Sequence, residues 1–384
     1  MYDIINRDDI QIYRFFPHGS KKPEDLKPLT DKEQNLSLDQ LFINHVAIFH
    51  DQEPLFYDLY SHIVTDIHPV WKEKNWTELI EFWKALTHQR GIKNFIPGAN
   101  INLNDRSIIV HSEKNSNELL RYEQNGYVGV YYWSHALIAM DWYRFANFDP
   151  MLQKIRFPHK DFLIYNRAWS GTREYRLKFV ELLAQHDVLE NCLTWFNPVD
   201  QDLSYHEHKF SNPNFQITNY QLHQLIGPGT ADSSASADYC VDDYQRTNIE
   251  VVLETLFDDD RLQLTEKILR PIACGHPFLL AATQGSLAYL RSYGFKTFGD
   301  LIDESYDDIV DPLQRITAIC QEIKRITALP PQEKIVLFAG MKQIALQNRT
   351  KFFSSEWQQS IVDEFKQNFD VAFCELKQKI KYPI

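Results

Sequence analysis

Glycine is scarce in this chain, at 13 of 384 residues, about half the usual share. Neither GxGxxG nor GxxxxGK[ST] occurs. Nicotinamide-binding and P-loop folds need glycine where the backbone closes on phosphate, so both readings start without their material. The five cysteines (Cys192, Cys240, Cys274, Cys320, Cys374) lie far apart and none forms a CxxC pair. That excludes a cysteine zinc cluster and reads as reduced thiols in a cytoplasm. No run of 18 apolar residues is present, so no membrane-spanning helix is expected. The opening MYDIINRDDIQIYRFF is mixed and acidic, which is not the pattern of a secretory signal. Basic residues are outnumbered 40 to 52, for a net charge of −12. A uniformly basic nucleic-acid coat is thereby excluded, whereas a local basic groove is not.

What is present is an apolar, aromatic-rich globular composition: 44% hydrophobic, 14% aromatic and 24% charged. The length suits two domains or one large one. A rhythm of short apolar run, polar cluster and helical spacing recurs. Asn44 to His50 reads as a strand ending in Asp51-Gln52-Glu53-Pro54, and 71–86 has helical spacing. Ser107 to His111 is a strand ending in Ser112-Glu113. Tyr127 to Tyr132 is another, ending in Trp133-Ser134-His135, with a helix from about Ala136. Two prolines in 148–160 break the pattern and set the expected domain boundary near 157. The rhythm then restarts, with strands at Asp161–Tyr165, Leu193–Phe196, Ile249–Leu253 and Pro277–Ala281 and helices at Arg173–Ala184, from Thr265, and at Gly285–Ser292. Residues 226–240 are low in complexity and read as a loop. From Asp307 onward the chain reads as mostly helical, jointed at Pro330-Pro331.

The alternation predicts an α/β fold with doubly wound parallel sheets. The expected domains are 1–157, 158–350, and a C-terminal helix over 351–384 packing across both. Ligands of such sheets bind beyond the carboxyl ends of the strands, and the polar clusters all fall there.

The sharpest segment is Leu264 to Leu280. Thr265 is placed as an N-cap, with Glu266 and Lys267 in the first turn. A helix N-terminus presents free N–H groups and partial positive charge, which suit a phosphate. Lys267 adds a full charge, and Glu266 has two acceptors for the hydroxyls of a ribose. The competing reading is an ordinary capped helix with a surface Glu-Lys pair. Pro271 is awkward in that helix, because it removes a backbone donor.

Glu254, Thr265-Glu266-Lys267, Ala273-x-Gly275-x-Pro277 and the small-residue turn Gly285-Ser286 resemble the donor-binding segment of the family 10 fucosyltransferases. Gly294-Phe295-x-Thr297-Phe298 and Asp303 to Asp307 also resemble uncharacterised glycosyltransferase-like proteins, many from bacteriophages. The resemblance implies a GT-B fold, with two facing Rossmann-like domains and a helical C-terminal tail, and an inverting, metal-independent glycosyltransferase. It also implies that Arg173, Asn166, Glu254, Thr265, Glu266 and Lys267 bind a nucleotide-sugar donor, Arg167 competing with Arg173 for the phosphate. The family's Ser-Asn pair is matched only at Asn166, since Tyr165 stands where the family has Ser. An arginine at a helix start is well shaped for phosphate oxygens, and the alternative is a salt bridge of Arg173 with Glu174 or Glu181. Glu53-Pro54 matches the family's base, with Asp51 beside it. Glu113 and His135 are further candidates on the acceptor side.

No resident cofactor is expected, and the donor is a co-substrate. His206-Glu207-His208 lacks a third ligand at fitting spacing, and Asp258-Asp259-Asp260 contains a DxD but reads as a solvated turn, so no metal is expected. Tyr131, Tyr132, Trp133, Trp142 and Tyr143 are core or sugar-stacking residues. Partners are a nucleotide sugar and an acceptor that is a glycan, a small molecule or modified DNA. A DNA acceptor would be a hydroxymethylated base flipped from the stack. A rival class is a non-catalytic nucleotide-binding scaffold. A nucleotide-sugar epimerase is disfavoured by the missing GxGxxG.

Overall fold

A computed structural model describes residues 55–58, 107–111, 113–115, 120, 123, 128–131, 133–154, 158–200, 203–218 and 238–381. The strand expected at 44–50, the helix at 71–86, most of the 226–240 loop, and Asp51, Glu53 and Tyr132 lie outside the described residues. By internal contacts the chain divides into two units, residues 1–141 with 355–384, and residues 142–354.

In the first unit, β1 (Leu55–Asp58), β2 (Ser107–His111) and β3 (Val128–Tyr131) form a sheet in that order. β1 runs antiparallel to β2, and β2 runs parallel to β3. In β3, Val128 and Val130 are buried while Gly129 and Tyr131 are partly exposed, the period-two pattern of a strand with one face inward. α1 (Ser134–Trp142) follows at once. The long C-terminal helix of this unit packs on β2 and β3. Its Asn368 amide donates to the Tyr131 carbonyl at 2.8 Å, and Trp357 meets Trp133 edge to face at 6.3 Å.

The second unit is built on a four-stranded parallel sheet, which makes the α/β class plain. In chain order it holds β4 (Lys160–Asn166), α2 (Tyr175–Gln185), β5 (Cys192–Phe196), the two-residue strands β6 (Val199–Asp200) and β7 (Leu203–Ser204), α3 (Val241–Arg246), β8 (Thr247–Leu253), α4 (Glu266–Cys274), β9 (Phe278–Ala281), α5 (Ser286–Ser292), α6 (Pro312–Ala328) and α7 (Pro331–Phe352). α8 (Ser355–Lys381) is the C-terminal helix of the first unit. The strand order is β5-β4-β8-β9, every neighbouring pair parallel. Such strands are covered on both faces and are accordingly apolar throughout. Phe162, Leu163, Ile164, Ile249, Val251, Leu279 and Leu280 are all buried.

Register sorts side chains between the faces. Leu163 pairs with Glu250 and Ile164 with Val251, so Tyr165 shares a face with Glu250, and Asn166 lies on the opposite face. Asn166 donates to the Arg176 carbonyl of α2, and α6 packs on α2. On the other face α4 lies against the sheet and α7 against α4. Burial there includes charge. The Arg270 guanidinium of α4 donates to Glu250 at 2.5 Å, and Tyr244 donates to the same carboxylate at 2.6 Å. Tyr165 donates to Asp243 at 2.9 Å beneath the Arg270 plane.

The observed division lies ahead of the expected boundary at 157, and residues 355–384 cluster with the first unit. Hydrogen bonds tie 142–154 to the second unit. Arg349 donates to the Ala146 carbonyl at 2.8 Å, Tyr239 to Asp149 at 3.0 Å, and Gln245 to the Met151 carbonyl at 2.9 Å. α4 tolerates Pro271 and ends at Gly275 with φ of +60°. The left-handed residue lets His276 N–H reach the Pro271 carbonyl at 2.8 Å.

Candidate functional site

The carboxyl ends of β4 and β8 open onto two loops that carry most of the expected donor residues. After β8 the chain runs through 255–265 and turns into α4. Thr265 is the N-cap, its hydroxyl accepting from Lys267 N–H at 3.3 Å. The loop is folded back on Glu254, which is fully buried. One Glu254 oxygen accepts from Thr265 N–H at 3.0 Å. The other accepts from the Thr265 hydroxyl at 2.6 Å and from Thr255 N–H at 3.3 Å. Glu254 therefore holds the cap of α4.

Lys267 rises from that first turn. Its ammonium lies 3.0 Å from Glu266 Oε1, 3.1 Å from Thr265 Oγ1 and 3.3 Å from Thr255 Oγ1. Three donors thus meet one carboxylate and two neutral hydroxyls. The side chain keeps 23% of its surface exposed, whereas that of Glu266 keeps 7%. Glu254, Thr265, Glu266 and Lys267 are thus brought together.

The second loop follows β4. Asn166 is buried at the strand end, Arg167 is exposed and Arg173 is half-buried. Two carboxylates, Asp200 and Glu174, tie the loop to the 200–212 region. Asp200 accepts from Trp169 N–H at 2.8 Å and Ser170 N–H at 2.7 Å. Burial pushes the Asp200 carboxyl up, but the bonds from Ser170 and Trp169 and the charge of Arg173 outweigh it and hold it below the ordinary value. Glu174 accepts from Ser211 N–H at 2.7 Å and Asn212 N–H at 3.0 Å and lies 3.1 Å from His208. Glu181 takes Lys178 and Thr218. Both carboxylates offered as salt-bridge partners of Arg173 thus carry other bonds.

Arg176, which sequence reasoning passed over, joins the two loops. Buried in α2, it donates to the backbone carbonyls of Ala168 at 2.6 Å, Leu253 at 2.6 Å and Glu254 at 2.9 Å. Tyr175 adds a bond to the Glu254 carbonyl at 2.7 Å. Arg176 lies on the apolar side of α2 among Leu177, Phe179 and Val180, and a charge there was the available signal.

A third helix end is closed. The N-terminus of α5 is occupied by Asp307, whose carboxylate accepts from Leu287 N–H at 3.0 Å and Ala288 N–H at 3.2 Å. Burial raises the Asp307 carboxyl. Arg315 supports this region by donating to the carbonyls of Ile309, Val310 and Phe257.

In the first unit, Glu113 and His135 are both buried just past β2 and β3, whose parallel register sets His111 beside Tyr131. They lie at the same edge of that sheet. Trp133 and Tyr143 are core, while Tyr131 and Trp142 keep part of their surface. His208 is engaged with Glu174, and His206 packs on Tyr205 at 4.1 Å. In the acidic turn, Asp259 pairs with Arg261 at 2.6 Å and Asp258 accepts from Asn212. Among the described residues no group of three or more His, Cys, Asp or Glu is gathered as for a metal, and no helix is long and apolar enough to cross a membrane.

No family model, curated protein or solved structure matches the chain.

Proposed function

We propose that this protein is a metal-independent, inverting glycosyltransferase of the two-domain GT-B type, which moves a sugar from a nucleotide-sugar donor to an acceptor hydroxyl. The observation that carries the reading is the Lys267 ammonium, partly open to solvent over the first turn of α4 beyond the carboxyl edge of a parallel sheet. An incoming diphosphate exchanges for the Glu266 contact on that ammonium and meets the positive end of the α4 dipole. Glu266 then turns to a ribose hydroxyl. Arg173, on the loop fixed by Asp200, supplies the second cation.

In the transfer, the acceptor oxygen bonds the anomeric carbon as the bond from that carbon to the phosphate oxygen breaks. The electron pair leaves with the diphosphate, where Lys267, Arg173 and the helix end offset the developing charge. The acceptor proton passes to a carboxylate base. Glu53 and Asp51 are the candidates for that base, and Glu113 and His135 for contacts to the acceptor.

The test is release of nucleoside diphosphate from a panel of nucleotide sugars by the full chain and by Lys267→Ala. Turnover lost in the variant supports the proposal. Turnover equal to wild type overturns it.

A further inference from the structure

Two neutral polar side chains on the segments that carry or adjoin the Lys267 contacts, Gln263 and Thr283, are buried without hydrogen-bond partners. Gln263 is 2% exposed and Thr283 is 2% exposed. Neither the oxygen nor the nitrogen of the Gln263 amide is bonded, and the Thr283 hydroxyl is not bonded either. An amide in that state forfeits its bonds to water and gains none in return, so natural chains rarely keep one without a use for it.

Each is tied through the backbone to a group that holds Lys267. Gln263 is two positions ahead of Thr265, whose hydroxyl is 3.1 Å from the ammonium. Thr283 N–H donates to the Leu256 carbonyl at 3.1 Å, which sets it beside Thr255, whose hydroxyl is 3.3 Å from the same ammonium.

We infer that Gln263, assisted by Thr283, reads the nucleoside of the ligand whose phosphates Lys267 binds. This rests on the nucleotide-sugar reading above. The chemistry is that of a planar amide, which presents an N–H donor beside a carbonyl acceptor. Its complement is a nucleobase edge with an acceptor beside a donor, the bidentate pairing that glutamine makes with bases. A phosphate, which only accepts, leaves the carbonyl end unsatisfied. The ligand class is therefore a nucleoside diphosphate, with discrimination among bases residing in Gln263 and charge recognition residing in Lys267.

The experiment is titration calorimetry of the full chain with inorganic pyrophosphate and with the adenine, guanine, cytosine and uracil nucleoside diphosphates. Wild type, Gln263→Met, Thr283→Val and Lys267→Ala are compared. Wild type is expected to prefer one base and to bind it more tightly than pyrophosphate. Gln263→Met weakens that nucleotide by about tenfold, flattens the base preference and leaves pyrophosphate unchanged. Thr283→Val, which keeps the side-chain shape, weakens the nucleotide by a smaller factor. Lys267→Ala weakens every ligand, pyrophosphate included. Without ligand, Gln263→Met melts about 2 °C above wild type, because a buried amide without partners is replaced by an apolar chain.

A Gln263→Met protein that keeps the wild-type base preference overturns this inference and leaves the Lys267 reading standing. So does one that melts below wild type and loses pyrophosphate as well, since the amide then holds the fold. A wild-type protein that binds none of the ligands overturns both.

Discussion

Replacing Glu254 with Gln separates a scaffold role for this carboxylate from a ligand contact. The two oxygens take three donors: Thr265 N–H at 3.0 Å, the Thr265 hydroxyl at 2.6 Å and Thr255 N–H at 3.3 Å. A carboxylate only accepts, so all three are satisfied. An amide keeps one acceptor. If its oxygen faces Thr265 N–H, its NH2 meets Thr255 N–H and a Thr265 hydroxyl oxygen that already receives Lys267 N–H and the Lys267 ammonium. In the flipped orientation the NH2 meets Thr265 N–H, donor against donor. Either way, bonds to a charged group worth about 1.5–3 kcal/mol each are lost and buried donors remain. The expected destabilisation is about 2–4 kcal/mol. Urea unfolding followed by fluorescence reads it as a lower midpoint at unchanged slope. The cap of α4 and the seat of Lys267 loosen together, so under the proposed function nucleotide affinity falls in the same variant. A Glu254→Gln protein within about 0.5 kcal/mol of wild type would refute the argument that this carboxylate is the clamp.

Arg270→Met leaves Glu250, which is 1% exposed, with Tyr244 as its remaining partner. It is expected to cost about 3–5 kcal/mol in chemical unfolding, and adding Glu250→Leu recovers most of the loss. The Asp200 carboxyl has its folded pKa below the ordinary aspartate value, so its contribution is complete above that value and is lost as pH falls through the folded pKa. Asp200→Asn removes this contribution, so its stability falls less steeply than wild type's from about pH 5 to about pH 2. Equal slopes would contradict the bonds drawn from Trp169 and Ser170. Of the five thiols, Cys240 and Cys374 are exposed, and Cys192, Cys274 and Cys320 are buried with pKa values raised by burial. An aromatic disulfide reagent should titrate two thiols in the native protein and the other three only after unfolding.

The second sheet is legible in the sequence because strands covered on both faces must be apolar along their whole length. Asp161 to Tyr165 and Ile249 to Leu253 stand out for that reason, and the observed strands extend them by one or two residues. Thr265 is legible because a cap needs only a hydroxyl ahead of a helical run, and the Pro330-Pro331 joint because proline starts a helix but does not continue one.

The site is less legible. Whether Glu254 faces a ligand or the backbone depends on a loop that returns eleven residues later, and no local pattern encodes that return. Arg176 follows Arg173 by three positions, and only the packing of α2 decides which of the two is consumed by carbonyls. The Glu250–Arg270 pair joins a strand to a helix twenty residues away, so each charge looks out of place when read alone. Gln263 carries no motif, and its interest comes from burial.

We propose above that Lys267 and the first turn of α4 hold the diphosphate of a nucleotide sugar. The most direct test of this proposal is the melting temperature of wild type and Lys267→Ala with each of the GDP-, UDP-, ADP- and CMP-sugars in excess. A ligand at a hundredfold excess over its Kd stabilises by about 2.7 kcal/mol, a shift of several degrees. Wild type is expected to show such a shift with one donor class, and Lys267→Ala to show none. No shift with any donor, or an equal shift in the variant, would contradict the proposal.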